Sequence, residues 1–102
     1  MTSSSWYVYM LRCADNSLYT GITTDISRRV KEHNNDNKLG AKYTRARRPV
    51  ALVYLQDCLS RSDASSNEYR LKKLNKKSKE SLVNVFSEDK NTNTVYSLIP
   101  NE

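Results

Sequence analysis

The 102-residue sequence has only two cysteines, one phenylalanine and one tryptophan. Cys13 and Cys58 are too few for a disulfide framework, and no C-x-x-C pair predicts a metal site. We interpret them as free thiols of a reducing compartment. The first residues lack the basic and apolar regions of a signal peptide, and no apolar run approaches the ~18 residues that a membrane span needs. We therefore expect a cytoplasmic protein with no membrane association.

A single domain is expected, because 102 residues lie near the commonest domain size and can bury a core without metals or disulfides. The chain shows no internal repeat and no low-complexity linker. Residues after 86 are much more polar than those before them. We predict one domain over residues 1–86 and a polar tail over 87–102. We expect disorder in the tail, with an edge strand at "TVYSLI" as the alternative.

Positive charge is concentrated in two blocks. The net charge is +6, but Arg28 to Arg48 holds eight Lys/Arg and two acids, and Arg70 to Lys79 holds six Lys/Arg and no acid. Such blocks favour a polyanionic partner, with phosphate contacts as the main source of affinity. Two solvated helix faces are the alternative interpretation.

The tyrosine-rich stretch "YVYMLRCADNSLYTG" predicts a β-hairpin. Asn16 tolerates the left-handed conformation that the last position of a three-residue loop requires, so we place the loop at 14–16. That loop pairs Tyr9 with Gly21 and puts Tyr9 and Tyr19 on one face of the sheet. A two-residue loop would put the two tyrosines on opposite faces.

A helix and a third strand are predicted next. "DISRRVKEHN" is typical of a helix capped by Thr24 or Asp25, and Arg29 and His33 share one of its faces because they stand four residues apart. "KLGAKYTRARRP" is a basic connection with one short helix. "VALVYLQDC" is nearly continuously apolar, which predicts a strand that is central or covered on both faces.

Two further helices follow in the sequence. "SRSDASSNEYRLKKL" is a helix capped near Ser60 or Ser62, and its apolar stripe includes Glu68 with Ala64 and Leu71. Glu68 is thus predicted as a carboxylate on an inward face. "SKESLVNVF" predicts a last helix with its apolar residues packed inward.

Four segments resemble the GIY-YIG nuclease domain: "YVY" at 7–9, "YTG" at 19–21, "DISRRVKEH" at 25–33 and "EYRLKKL" at 68–74. The resemblance covers about residues 5–80, and "YTRARRPVALVY" is similar to small stand-alone bacterial members of uncharacterised function. Tyr7 and Val8 replace the first Gly and Ile of the family name, and Thr20 replaces the second Ile. The resemblance implies an α/β fold of the α+β type, with a three-stranded antiparallel sheet flanked by three to five helices.

The resemblance also implies an activity, which is hydrolysis of phosphodiester bonds in DNA with one divalent metal ion, Mg²⁺ or Mn²⁺. The tyrosine pair would activate or position the attacking water, the arginine would steady the phosphate, and the glutamate would hold the metal. Gly21 would leave room for a phosphate. The catalytic positions in this sequence are Tyr9, Tyr19, Arg29, His33 and Glu68.

Physical chemistry is compatible with these roles. Mg²⁺ often takes only one or two protein carboxylates, so a lone Glu68 suffices. A tyrosine is a poor base with a pKa near 10, and nearby cations are needed to stabilise its phenolate. Two tyrosines beside cations are therefore better suited to activate water than one tyrosine alone. Each residue also has a structural interpretation: Tyr9 as a core aromatic, Arg29 as a surface residue, and Glu68 as the partner of Arg29 or a lysine.

The basic blocks supply candidate nucleic-acid contacts, with a solvated loop as the alternative interpretation. Tyr43 could also stack on a base. We expect DNA rather than RNA, a monomer, and a protein partner that supplies substrate choice. A nucleic-acid-binding module without catalysis is the second hypothesis. The candidate contact residues are Lys42, Tyr43, Thr44, Arg45, Arg47, Arg48, Lys72 and Lys73, with Lys76 and Lys77 as weaker ones.

Overall fold

The computed structural model describes residues 6–88, so the prediction for the tail and its "TVYSLI" segment lies outside the described residues. Seven elements follow one another in the described part. They are β1 (Trp6–Arg12), β2 (Leu18–Thr23), α1 (Ile26–Asn35), α2 (Lys42–Arg45), β3 (Ala51–Cys58), α3 (Arg61–Lys73) and α4 (Lys76–Glu88). Helix α4 continues past residue 86, where the sequence predicted the domain to end. In this described part, no helix is long and apolar enough to cross a membrane.

The hairpin of β1 and β2 has the predicted register. Asn16 has a φ of 70°, the left-handed conformation expected at the third loop position. The Cys13 N–H donates to the Ser17 carbonyl at 2.9 Å and closes the loop. Tyr9 therefore lies opposite Gly21, and side chains at alternate positions put Tyr9 and Tyr19 on the same face.

The sheet is antiparallel with the order β2-β1-β3, so β3 is an edge strand. Of the two alternatives that the apolar sequence of β3 left open, the central position is wrong, because β1 is the central strand. The other alternative is the one observed, because both faces of β3 are covered. Leu52 packs with Tyr9 on one face, while Tyr54 packs on the other and meets the ring of Phe86 in α4 at 5.7 Å.

Two hydrophobic clusters lie on opposite faces of the sheet, because neighbouring β1 side chains alternate between them. Helix α1 closes the first cluster through Val30, and α3 closes the second through Ala64 and Leu71. The first cluster consists of Tyr9, Leu11, Cys13, Val30, Val50 and Leu52. The second consists of Val8, Cys58, Ala64 and Leu71.

Side-chain caps start both long middle helices at predicted positions. The Asp25 carboxylate accepts from the Arg28 N–H at 3.1 Å, and the Ser60 hydroxyl accepts from the Asp63 N–H at 3.0 Å. The first of these starts α1, which carries Arg29 and His33. The second starts α3, which carries Glu68, so two local contacts position three candidate residues.

Helix α4 is tied to the hairpin by charged groups. The Arg12 guanidinium binds both carboxylate oxygens of Glu80, at 2.5 and 2.6 Å. Lys76 pairs with Glu80 at 3.1 Å and donates to the Asn16 carbonyl at 3.0 Å. These contacts hold the N-terminal half of α4 against the β1–β2 loop.

Candidate active site

A buried hydrogen-bonded row joins β1, α1 and α2. The Tyr9 hydroxyl lies 2.8 Å from His33 Nε2, and His33 Nδ1 lies 2.9 Å from Thr44 Oγ1. Tyr9 is 1% exposed, and His33 and Thr44 are completely buried. The row brings together two of the five predicted catalytic residues, Tyr9 and His33.

Burial changes the acid–base behaviour of this row. The pKa of His33 falls to about 4, first because burial disfavours the charged ring and then because Arg29 and Arg48 are nearby cations. Burial also raises the pKa of the Tyr9 phenol well above 10, while the neighbouring Arg29 guanidinium partly offsets this effect. Both groups are therefore neutral at pH 7.

Gly21 makes room for Tyr9 itself, which corrects the expectation that its gap would receive a phosphate. A Cβ atom at this position would lie 2.5 Å from the Tyr9 hydroxyl oxygen and 2.7 Å from its Cζ. The phenol thus lies directly over the glycine in the neighbouring strand. Gly21 positions the Tyr9 hydroxyl toward His33 by leaving that space open.

Tyr19 lies beside the buried row and links it to the surface. Its ring centroid is 5.1 Å from that of His33 and 6.4 Å from that of Tyr9. On the other side it stacks with Tyr43 at 5.9 Å and 25°. Tyr19 is partly buried and Tyr43 is 37% exposed, so the aromatic rings become more accessible away from His33.

Arg29 reaches the same place from α1. One of its terminal nitrogens donates to Glu32 at 2.8 Å and to the Leu39 carbonyl at 2.7 Å. Its charge acts on both Tyr9 and His33, as the pKa values of both groups indicate. The sequence allowed an ion pair between Glu68 and Arg29. Arg29 instead pairs with Glu32 of its own helix.

Glu68 lies on α3, which packs against β1 and β2, and its charge is felt by Tyr9. It pairs with Lys72 at 3.2 Å, one of the partners that the structural interpretation allowed. Its side chain is 23% exposed and that of Lys72 is 56% exposed. Glu68 is thus a partly accessible carboxylate that is paired with Lys72 and not an unpaired inward charge.

The side chains available as ligands around Glu68 limit which metal ion the site could bind. Within residues 6–88, no group of three or more His, Cys, Asp or Glu side chains is arranged to hold a metal ion. A structural zinc or an all-protein calcium site therefore does not fit. A lone carboxylate fits a hard cation such as Mg²⁺, which retains several waters and takes its remaining oxygens from a phosphate.

Three of the candidate nucleic-acid residues, Lys42, Tyr43 and Arg45, lie on the exposed side of α2. Arg47 follows the helix and places its guanidinium 3.8 Å from the centre of the Tyr43 ring, while it pairs with Asp15 at 3.0 Å. Arg45 donates to the Asn37 carbonyl. The stack of Tyr19, Tyr43 and Arg47 therefore runs from the buried row to the basic surface.

Two predicted phosphate contacts have other partners. Thr44 is completely buried behind His33, so it cannot reach a phosphate at the surface. The Arg48 guanidinium donates to the carbonyls of His33 at 2.7 Å and Asp36 at 2.9 Å and to the Asn37 side chain at 3.0 Å. Arg48 therefore closes the C-terminal end of α1, where unpaired carbonyls need donors.

The two predicted lysines on α3 have different neighbours. Lys72 pairs with Glu68, and Lys73 lies 4.4 Å from the ring centre of Tyr69, which is 62% exposed. One cation therefore lies beside the candidate carboxylate, and the other lies over an exposed aromatic ring of the same helix. This arrangement is compatible with an approaching polyanion.

Sequence reasoning missed the supporting roles of two residues. Thr44 holds His33, but no pattern connects residues 11 positions apart on different helices. Glu32 holds Arg29 at a spacing of three residues, which is a helical spacing for opposite charges and was available in the sequence.

Comparisons with known proteins agree with this fold. A family model of the GIY-YIG catalytic domain matches residues 5–81. A UPF0213 protein of Desulfotalea psychrophila is 56% identical over 79 residues, which are 78% of this chain and 71% of that protein. The UPF0213 protein YazA of Bacillus subtilis is 42% identical over 104 residues, which cover 100% of this chain and 99% of that protein.

Two solution NMR structures are also similar. The UPF0213 protein BH0048 of Bacillus halodurans is 46% identical, with a TM-score of 0.51 over 78% of this chain and 83% of that one. The protein EF2693 of E. faecalis is 37% identical, with a TM-score of 0.53 over 87% of this chain and 92% of that one. The predicted three-stranded α+β fold is confirmed, and the chain belongs to the GIY-YIG catalytic domain family, in the group of small UPF0213 proteins.

Proposed function

We propose that this chain is an endonuclease that hydrolyses phosphodiester bonds in DNA with one divalent metal ion, Mg²⁺ or Mn²⁺. The observation that carries the proposal is the buried 2.8 Å hydrogen bond between the Tyr9 hydroxyl and His33, with the Arg29 charge beside it. Membership of a nuclease-type family supports the reaction class. The substrates proposed are branched, flapped or damaged DNA of the kind that arises in repair and recombination.

The protein residues would carry the proton steps. Water attacks phosphorus, so that one P–O bond forms and the bond to the leaving oxygen breaks. The proton of the water passes to the Tyr9 oxygen while the phenol proton passes to His33 Nε2, and the leaving oxygen takes a proton from solvent. Tyr19 borders this path and positions the water.

Charge would be balanced by Arg29 and by the metal. Arg29 turns from Glu32 toward the phosphate and donates hydrogen bonds to its oxygens. Glu68 would hold the divalent ion, which would supply positive charge against the negative charge that develops on the phosphate.

Substrate also changes how well His33 accepts a proton. The nearby Arg29 and Arg48 charges oppose a proton on His33 and help to lower its pKa to about 4. A phosphate bound by Arg29 offsets one of these charges. His33 is therefore a better proton acceptor when DNA is bound. Without substrate, the hydrogen-bonded row of Tyr9, His33 and Thr44 stays neutral, and no proton moves along it.

The basic surface would bind the DNA around this site. On α2, Tyr43 stacks with Tyr19, and Lys42 and Arg45 lie on the same exposed side of the helix. On α3, Lys72 pairs with Glu68, and Lys73 is the next residue of the helix. Because DNA binding by such a surface is mainly electrostatic, a protein partner would supply the choice of substrate. We propose that the chain acts as a monomer in the cytoplasm, where its two free buried thiols stay reduced.

A panel of flapped, branched and abasic DNA, incubated with Mg²⁺ or Mn²⁺, tests the proposal. The wild-type protein is expected to cut at least one member, and Glu68→Gln, Arg29→Ala and Tyr9→Phe are expected to lose the activity. Tyr54→Phe is the matched control, because it removes a hydrogen-bonded phenol on the other face of the sheet and leaves the site intact. Equal cutting by wild type, Glu68→Gln and Arg29→Ala would indicate a contaminant and overturn the proposal.

A nucleic-acid-binding module without catalysis is the second candidate function. It is favoured by the 1% exposure of Tyr9 and by the ion pair that occupies Glu68. On this hypothesis the wild-type protein binds the same DNA panel in a salt-sensitive way but cuts none of it with either metal. Binding then survives in Glu68→Gln, because no metal-bound phosphate contributes to it.

A further inference from the structure

Thr44 has two hydrogen-bonding partners but only one hydroxyl hydrogen. Its Oγ1 lies 2.9 Å from His33 Nδ1 and donates to the Ala41 carbonyl at 2.9 Å. A carbonyl can only accept, so this contact requires the Thr44 hydrogen, and the same oxygen then accepts from His33 Nδ1. The Ala41 carbonyl also accepts from the Arg45 N–H at 3.0 Å, so it is the hydrogen bond of Tyr9 that decides between the two arrangements.

The other arrangement of protons leaves a buried group unpaired. If Thr44 donated to Nδ1, His33 would carry its proton on Nε2 and donate to the Tyr9 oxygen. The Tyr9 hydroxyl proton would then have no acceptor among the hydrogen bonds of the described residues, although its side chain is 1% exposed. An unpaired buried donor costs about 1–3 kcal/mol.

We propose that Thr44 is a positioning residue that keeps the proton of neutral His33 on Nδ1 and leaves Nε2 free to accept from Tyr9. This inference rests on the proposed function for its catalytic meaning, since it fixes the direction in which the Tyr9 proton can move. It gives Thr44, which the sequence suggested as a phosphate contact, a role in the interior of the protein instead. Thr44 acts through His33 and does not touch the substrate.

The experiment is a long-range ¹H–¹⁵N spectrum of the imidazole at pH 7. The chain has one histidine, so the two nitrogen signals belong to His33 without further assignment. Wild type is expected to show a protonated Nδ1 and an unprotonated Nε2. A spectrum with the proton on Nε2 would overturn the proposal, whether or not the protein cuts DNA.

Two variants separate the hydroxyl from the shape of the side chain. Thr44→Val keeps the shape and removes the hydrogen bond, so its Nε2 signal is expected to move toward the protonated form. Thr44→Ser keeps the hydroxyl and is expected to retain the wild-type spectrum. An unchanged Nδ1–H form in folded Thr44→Val would also overturn the proposal. The wild-type spectrum and Thr44→Ser keep the test decisive if Thr44→Val does not fold.

Cleavage provides a second readout once a cut substrate is known. Thr44→Val is expected to cut DNA about 10- to 100-fold more slowly than wild type, which is no more than the usual contribution of acid–base catalysis. Thr44→Ser is expected to cut at a rate within about threefold of wild type. A normal tautomer without any cleavage supports this inference and contradicts the proposed function. The two hypotheses are therefore distinguishable.

Discussion

At the scale of single residues, His33 shows how burial selects a protonation state. The ring is completely enclosed, two arginine charges act on it, and both of its nitrogens are hydrogen-bonded. A charged imidazole in this place loses its hydration and gains no anionic partner. The neutral form is therefore the one that the fold stabilises.

The preference for neutral His33 predicts that the stability of the fold depends on pH, and the single histidine can be followed to test this. Its folded pKa of about 4 lies below the ordinary 6.5, so the unfolded state binds the proton more readily. The contribution to stability is complete above pH 6.5 and is lost as the pH falls through about 4; it is on the order of 3 kcal/mol. NMR titration of the His33 ring protons checks this, and a midpoint near 6.5 contradicts it.

Gly21 and Tyr9 form the second residue-scale prediction. Gly21→Ala places a methyl group 2.5 Å from the Tyr9 hydroxyl oxygen, so the phenol must move and its bond to His33 breaks. We expect a loss of about 1–3 kcal/mol in the free energy of unfolding, typical of overpacking. Urea denaturation measures it.

A double-mutant cycle gives the matched control for this prediction. In a Tyr9→Leu background the clashing phenol is absent, so Gly21→Ala should cost much less there than in wild type. Equal costs in the two backgrounds would show that Tyr9 is not the group that requires the glycine.

At the scale of elements, α4 is held to the hairpin by a charged contact as well as by its apolar face. Arg12 binds both oxygens of Glu80, and Lys76 adds a second cation. The paired guanidinium lowers the pKa of Glu80 to about 2. A lowered carboxyl pKa stabilises the fold above the ordinary value of 4.5, and the effect is lost as the pH falls toward about 2.

Glu80→Gln is therefore expected to lower the thermal midpoint at pH 7 and to make little difference at pH 2. Bidentate geometry puts the effect near the upper end for surface pairs, about 1 kcal/mol. Asp57→Asn is the control, because Asp57 is exposed on β3 and makes no ion pair among the described residues. Equal shifts for the two variants at pH 7 would contradict the role assigned to the Arg12–Glu80 pair.

The elements also show which features local sequence can predict. The loop at Asn16 and the caps at Asp25 and Ser60 depend on a few neighbouring residues; the loop was predicted, and each cap is one of the two positions that the sequence offered. The position of β3 was not, because an apolar strand covered on both faces has the same sequence at an edge as at the centre. The edge position is set by packing against distant elements.

The candidate site also has some features that local sequence predicts and others that it does not. The register of Tyr9 and Tyr19 and the shared face of Arg29 and His33 follow from strand and helix periods. The contact of Thr44 with His33 and the enclosure of Arg48 depend on how the segment after α1 folds back. No period in the sequence contains that information.

At the scale of the whole molecule, the net charge is +6, and some of the exposed cations lie near the candidate site. Lys42 and Arg45 are exposed on α2, whose Tyr43 stacks with Tyr19, and Lys72 of α3 pairs with Glu68. Each phosphate neutralised on duplex DNA contributes about 0.9 to the slope of log affinity against log salt. A localised binding surface can therefore be mapped by that slope.

Replacing Lys42 and Arg45 together with glutamine is expected to reduce the magnitude of this slope by about 1–2. Arg61→Gln is the control, since Arg61 is exposed at the start of α3 and lies outside both basic blocks. Fluorescence anisotropy at several salt concentrations measures the slopes. The proposed surface is wrong if Arg61→Gln lowers the slope as much per charge as the double variant does.

The two cysteines allow the two faces of the sheet to be followed separately in time. Cys13 belongs to the cluster under α1 and Cys58 to the cluster under α3, and they are 3% and 1% exposed. Burial also raises the pKa of the Cys13 thiol, so a reagent modifies it only when that region opens. Labelling rates of Cys13→Ser and Cys58→Ser proteins would then report the opening of each half. Because the proposed DNA surface includes cations of both α2 and α3, DNA is expected to slow labelling at both cysteines, and slowing confined to Cys13 would restrict the surface to the Tyr19 side.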